Sequence, residues 1–375
     1  MTTSRWISRR NFMQTSAMAA LGARQLLAAA PADLLEPSRL AFVGAIGPEQ
    51  GVHVFAMERS SWKHLHFVST EAPVSLALHP SGNTLYVLNE INEYRGLPLG
   101  TVDTYRLHRK TGELTSLGRQ PLALSATLPR QMAVSPDGRT LAVAVHGGGA
   151  YNLLPIHKDG SLGRVHSTLK ETGCGPIAQH QRAAHPQTVA FDLAGTRLIA
   201  ADLGSDRLSV FSLSKSDAAL AVHSRLQLPS GSGPRHITLH PEGTFLYVDH
   251  ALAGSASGFR YDPDTGAIGE QCASVSGAFG DALVLHPGGA IAYSARGAEL
   301  ASWRIDRSTK ALQPMQNISL ENETVRAMLP LPDGSAVIAL TGNSVLRIDI
   351  DVASGRLGNI ASVAGIAEAR SITML

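Results

Sequence analysis

Cysteine is nearly missing from this 375-residue sequence. Only Cys174 and Cys272 occur, in no CxxC or Cys/His spacing. That excludes a disulfide-dense scaffold and a zinc-finger type of metal site, and leaves a single Cys174–Cys272 bridge open. Charge is thin as well: Lys, Arg, Asp and Glu make up 17% of the chain, with a net charge of +2. A nucleic-acid binder would carry a basic face or stripe, so nucleic acid is not an expected partner. No uninterrupted apolar run reaches about 18 residues, the length a membrane helix needs. The nucleophile elbow G-x-S-x-G, the P-loop and the dinucleotide glycine pattern are also missing.

Turn chemistry is present in quantity, with 36 Gly and 20 Pro. It recurs in a repeat: an apolar run, a turn ending in Gly, then a second apolar run. The copies read LALHPSGNTLYVLNE, MAVSPDGRTLAVAVHG, TVAFDLAGTRLIAADLG, ITLHPEGTFLYVDH, LVLHPGGAIAYSARG and LPLPDGSAVIALTG. Their turn glycines are Gly82, Gly138, Gly195, Gly243, Gly289 and Gly334. A polar turn later in each unit keeps step, from HRKTGEL to DVASGRL. Four strand-sized runs per unit of about 40–50 residues is the pattern of a β-propeller blade.

The fold class is therefore all-β, a seven-bladed β-propeller of four-stranded antiparallel blades over residues 36–375. The first unit has three strands, in RLAFVGAI, GVHVFAM and HLHFVST, and lacks an inner one. The C-terminal RSITML resembles the inner strands of the other units, so it is expected to close the ring beside Leu40–Ile46. Residues 1–32 stand apart from the repeat. Ser8-Arg9-Arg10-Asn11-Phe12-Met13, followed by an Ala-rich stretch to Ala30-Pro31-Ala32, resembles a twin-arginine export signal. The mature protein is expected to be periplasmic and monomeric, with no membrane insertion once this segment is removed.

Antiparallel pairing brings the start of each inner strand and the end of the second strand to one rim. The inner-strand starts are Val74, Arg130, Gln187, Arg235, Asp281, Arg326 and Arg370. The second-strand ends contribute Glu90, His146, Asp202, His250 and Arg296, and His185 lies nearby. Arginines around one mouth favour an anion, because guanidinium is a planar fork matched to carboxylate or phosphate. Pairing with Glu90, Asp202 or Asp281 would instead make them rim struts. His79, His240 and His286 recur just before the turn in three units and are read as turn architecture.

LYVLNE, SPDGRTLAVA followed by GGG, HPQTVAFDLAG, ADLGSDRL and GSGPRHITLHPEG together resemble the lactonase family of seven-bladed propellers. That family includes propeller-type 6-phosphogluconolactonases and carboxy-muconate lactonising enzymes. The resemblance implies a channel-mouth site of histidine, arginines and a glutamate. Arg235 matches the arginine of the GPRH motif, Arg296 a later arginine, and Glu90 the acid of an early Asn-Glu. Two positions depart: Gln187 stands where the family has the second histidine of His-x-His, and Asp249-His250 where many members have Asn-Glu.

The implied function is hydrolysis of a sugar-type (aldono- or urono-) lactone; no cofactor is expected and no metal ligands are assigned. His185, His250 and Glu90 would be catalytic; Arg235, Arg296, Arg130, Gln187, His146 and Arg326 would bind the substrate. The partner is a small-molecule lactone or anionic sugar derivative. A non-catalytic propeller that binds a small anion or a protein is the alternative. A quinoprotein propeller would carry tryptophan docking repeats, and the three Trp, at 6, 62 and 303, form none.

Overall fold

A computed structural model describes residues 39–213, 219–321 and 323–375. The proposed export segment, 1–32, lies outside the described residues. Those residues form seven four-stranded antiparallel sheets and no helix. Blade I joins the C-terminal strand Ala369–Met374 to Leu40–Ala45, Gly51–Met57 and Trp62–Ser69. Blades II to VI begin with inner strands Pro73–Leu78, Pro129–Val134, Pro186–Phe191, Pro234–Leu239 and Ala282–Leu285, and blade VII begins with Ala327–Pro330. Each inner strand touches the next around the ring, and Ala327–Pro330 touches Ala369–Met374 to complete it.

The closure expected from RSITML is present. Ala41 pairs with Met374, Phe42 with Thr373, Val43 with Ile372 and Gly44 with Ser371. Pairing the two chain ends in one sheet removes edges that would otherwise stay unpaired. The joint is sealed by Ala41, Val43 and Phe55 of blade I against Ile338 and Leu340 of blade VII.

Burial follows strand position. Second strands such as Thr140–Val145 and Phe245–His250 are buried at every residue, because blades cover both faces. Outer strands alternate, as in Ser167–Lys170, because one face meets solvent. The repeated turn needs glycine for its backbone: φ is 69° at Gly82, 70° at Gly138 and 73° at Gly243, a region L side chains disfavour.

The pre-turn histidines are structural and tie one blade to the next. His79 Nε2 meets the Gly138 carbonyl at 3.0 Å, His240 Nε2 that of Gly289 at 2.9 Å, and His286 Nε2 that of Gly334 at 3.3 Å. Tyrosines of the second strands make a parallel set of ties. Tyr86, Tyr247 and Tyr293 donate to the carbonyls of Gly160, Lys310 and Gly355 on the following blades. Cys174 and Cys272 are both free.

Candidate active site

At the rim opposite those turns, the channel opens into a cavity of about 600 Å³, within the usual range for small-molecule sites. All seven inner-strand starts line it: Val74, Arg130, Gln187, Arg235, Asp281, Arg326 and Arg370. A local irregularity aims five of them. In blades II to V the inner strand starts at a proline, and the register skips the residue after it: Val74, Arg130, Gln187 and Arg235. Arg370 is skipped in the same way against Gly44/Ala45. A bulged residue leaves the ladder, and its side chain is re-aimed; proline, with no N–H to give, suits the strand start beside it.

Two aspartates of ADLGSDRL hold the backbone on which the site is built. Asp202 Oδ1 accepts from the N–H groups of His185 (2.7 Å), Gly204 (2.9 Å) and Ser205 (3.2 Å), fixing the approach to blade IV. Asp206 accepts from Gly231 and Gly233, both at 2.7 Å, and so anchors the GSG turn that precedes Arg235. Gln181 Nε2 also donates to Asp206, at 2.7 Å, tying down the connection that brings Gln179 and His180 to the cavity.

Two of the arginines are paired. Arg130 Nη1 lies 2.6 Å from Glu90, and Arg235 Nη1 lies 3.3 Å from Asp281 and 2.8 Å from the Gly280 carbonyl. Burial raises the Glu90 carboxyl above its ordinary range, with Arg130 and Arg370 opposing the rise. Arg326 and Arg370 are exposed and form no ion pair among the described residues. Four arginines therefore face two carboxylates, Glu90 and Asp281, around the mouth.

His146 and His185 stack, with ring centroids 4.3 Å apart and planes 17° from parallel. Burial, then Arg130 and His185, lower the His146 pKa to about 4. His146 sits where Gly147 and Gly148 let the chain press against Thr127 and Ser125, with no room for a side chain.

Two expected site residues are not in the cavity wall. His250 is 2% exposed, with Nε2 2.9 Å from Ser257 Oγ. Burial lowers its pKa to about 4. It pairs with Pro234 beside the Arg235 bulge and turns into blade V, so it cannot reach a ligand in the mouth. Arg296 is exposed and lies over Gly254, where a side chain at 254 would collide with its guanidinium. It stays at the same end as Arg235, since both act on Asp249, but outside the cavity.

His236 and Asp249 were not singled out from the sequence. They are cross-strand partners. His236 lines the cavity with Nε2 occluded and unpartnered, and burial and Arg235 lower its pKa to about 3. Asp249 is fully buried, and neither carboxylate oxygen has a hydrogen-bond partner among the described residues. Burial raises its pKa to about 7, against Arg235 and Arg296 and with Asp281. The one available signal was the departure from Asn-Glu at 249–250. Among the described residues no group of three or more His, Cys, Asp or Glu is arranged to hold a metal.

The described residues form a closed seven-bladed ring with a polar, arginine-lined axial mouth. The chain belongs to a specific family of such rings: a family profile described as "Lactonase, 7-bladed beta-propeller" matches residues 41–373. A 6-phosphogluconolactonase of Bacillus subtilis is 27% identical over 308 residues, covering 78% of this chain and 84% of that one. The structure of a Pseudomonas aeruginosa periplasmic gluconolactonase superposes with a TM-score of 0.81 at 24% identity, covering 90% of this chain and 99% of that one. A candidate 6-phosphogluconolactonase from Bacteroides fragilis superposes with a TM-score of 0.82 at 20% identity, over 92% of this chain and 99% of that one.

Proposed function

We propose that the protein hydrolyses a sugar-type lactone, an aldono- or uronolactone, at the mouth of the propeller. The observation that carries this reading is the mouth itself: four arginines against two carboxylates, around a histidine stack, in a chain of the lactonase family. Water attacks the ester carbonyl, and His185 takes its proton as general base. The ring C–O bond then breaks, and the proton returns to the leaving hydroxyl to give the hydroxy acid. Glu90, with its raised carboxyl pKa, is a second group suited to carrying a proton.

The ring also sets where an anionic group would go. Around the seven inner strands, those of blades I and VII, carrying Arg370 and Arg326, are the two farthest from that of blade IV, carrying Gln187. An ester held at His185 would extend its distal end toward these two arginines. Residues 1–32 are read as a twin-arginine leader and the destination as the periplasm, which favours an unphosphorylated lactone. Replacing Arg9 and Arg10 together by lysine should then block export, as read by cell fractionation.

The test is lactone disappearance over a panel of a neutral aldonolactone, a uronolactone and 6-phosphogluconolactone, repeated on metal-stripped protein. Turnover of the first two supports the reading. Tight binding with no turnover of any would favour a binding propeller, the reading to which the burial of His250 lends weight.

A further inference from the structure

Gln187 and His146 have no role in the reaction as drawn, yet they are joined to each other and to His185. Gln187 Nε2 lies 2.8 Å from His146 Nδ1 and 3.1 Å from the His185 carbonyl oxygen. A carbonyl only accepts, so the Gln187 atom facing it is the amide nitrogen and not the amide oxygen. Its second hydrogen then points at His146 Nδ1, which must accept. A neutral imidazole that accepts at Nδ1 carries its hydrogen on Nε2. Burial, Arg130 and His185 keep this ring uncharged.

His185 is held in the opposite tautomer. His185 Nδ1 lies 3.2 Å from the His146 carbonyl oxygen and must donate to it, which leaves the lone pair on His185 Nε2. Both rings line the cavity, and neither Nε2 has a partner among the described residues.

We propose that Gln187 is a positioning residue that sets the His146 tautomer, so that His146 presents Nε2–H to the substrate oxyanion while the stacked His185 presents Nε2 as the base. The assignment of roles rests on the lactone-hydrolase reading; the assignment of tautomers does not. In the step, the water oxygen bonds to the carbonyl carbon and its proton passes to His185 Nε2. The carbonyl π electrons move to oxygen, where the His146 N–H receives them. Collapse breaks the ring C–O bond, and His185 returns its proton to the leaving oxygen. The glutamine thus makes a donor of its neighbour, a task a second histidine at 187 could not perform in both of its tautomers.

The experiment is nitrogen-detected NMR of 15N-histidine-labelled full-length protein at pH 8, assigned with His146→Gln and His185→Gln. The expected spectrum shows His146 protonated at Nε2 and His185 protonated at Nδ1. His146 protonated at Nδ1 overturns the proposal even if lactones are turned over. Absence of turnover with the expected tautomers would sink the lactone reading and leave the Gln187 assignment standing. Gln187→Glu is isosteric but can only accept, so it should shift the His146 hydrogen to Nδ1. With the best lactone of the panel, kcat should fall about 10²–10³-fold in His146→Ala, the scale of a lost oxyanion donor. Gln187→Ala should fall about tenfold, the scale of one hydrogen bond, with KM little changed. A merely structural Gln187 would predict Gln187→Glu milder than Gln187→Ala and no change of tautomer; that result also overturns it.

Discussion

At the turn rim of the propeller, His79, His240 and His286 each find a glycine carbonyl on the next blade. At the mouth, Arg130 Nε, His236 Nε2, His250 Nδ1, Asp202 Oδ2 and both oxygens of Asp249 are buried without partners. The two rims are opposite ends of the same strands, made by the same repeat. Where side chains recur from blade to blade, their polar atoms are satisfied and serve the ring. Where they differ, polar atoms are left over more often, although Arg197 Nε is left over at the turn rim too, and an unsatisfied buried group costs about 1–3 kcal/mol. Natural proteins keep such costs mainly at working sites. The unpartnered atoms are thus concentrated, though not confined, at the mouth.

Removing Arg370–Leu375 should have the largest effect, because it takes away both rims at once. Both rims need a closed ring, and the loss of the inner strand of blade I should be comparable with a whole domain's stability of about 5–15 kcal/mol. Far-UV circular dichroism and thermal melting should show no cooperative native state. A variant that melts normally would mean the ring does not depend on this pairing.

Asp249→Asn should act with the opposite sign, as a gain in stability. The folded pKa of Asp249 is raised to about 7 from an ordinary value near 3.8. Between those values the native state holds the proton more than the unfolded state does, so stability falls as pH rises through this window. The penalty is absent below the unfolded value and complete above pH 7. At about 1.4 kcal/mol per unit it reaches ~4 kcal/mol as an upper bound. Denaturant unfolding should find Asp249→Asn more stable than wild type at pH 8, with the gain vanishing near pH 4. A loss at pH 8 would make Asp249 a needed partner of Arg235.

Arg235→Ala should weaken binding of an anionic sugar acid about ten- to hundredfold, from a charge-assisted bond of ~1.5–3 kcal/mol. Calorimetry should show that change with the melting temperature little altered. His240→Ala is its mirror image at the turn rim. It should cost about 1–2 kcal/mol of stability through the lost tie to Gly289 and leave the same binding constant intact. If the two variants exchange their effects, the division between rims is wrong.

Most of the scaffold was legible in the sequence because repeats carry register. Counting back from the turn glycine brought Val74, Arg130, Gln187, Arg235, Asp281 and Arg326 to one rim, and all six line the cavity. The fate of His250 and Arg296 was not legible. A strand end has two faces: His250 pairs with Pro234 beside the bulge at Arg235 and turns into its blade, whereas Arg296 ends a strand of unbroken register and lies over Gly254. Asp249 was hidden for another reason: its character comes from burial among Arg235, Asp281 and Arg296, residues far apart in sequence. Gln179 and His180 arrive on a connection between blades, where the repeat offers no register at all.

The sheet that joins Ala369–Met374 to Leu40–Ala45 has a consequence in time as well as in space. Its first strand leaves the ribosome ahead of the other six blades and must wait for all of them before its partner exists. At a synthesis rate of about 5–20 residues per second, the wait lasts tens of seconds. Six blades can assemble during that interval, but the ring stays open until its final strand is delivered. A chain cut short at any point lacks its lock, and the exposed edge of blade I marks it as unfinished. The same pairing that holds the folded ring together thus acts, during synthesis, as a check that all seven blades have been delivered.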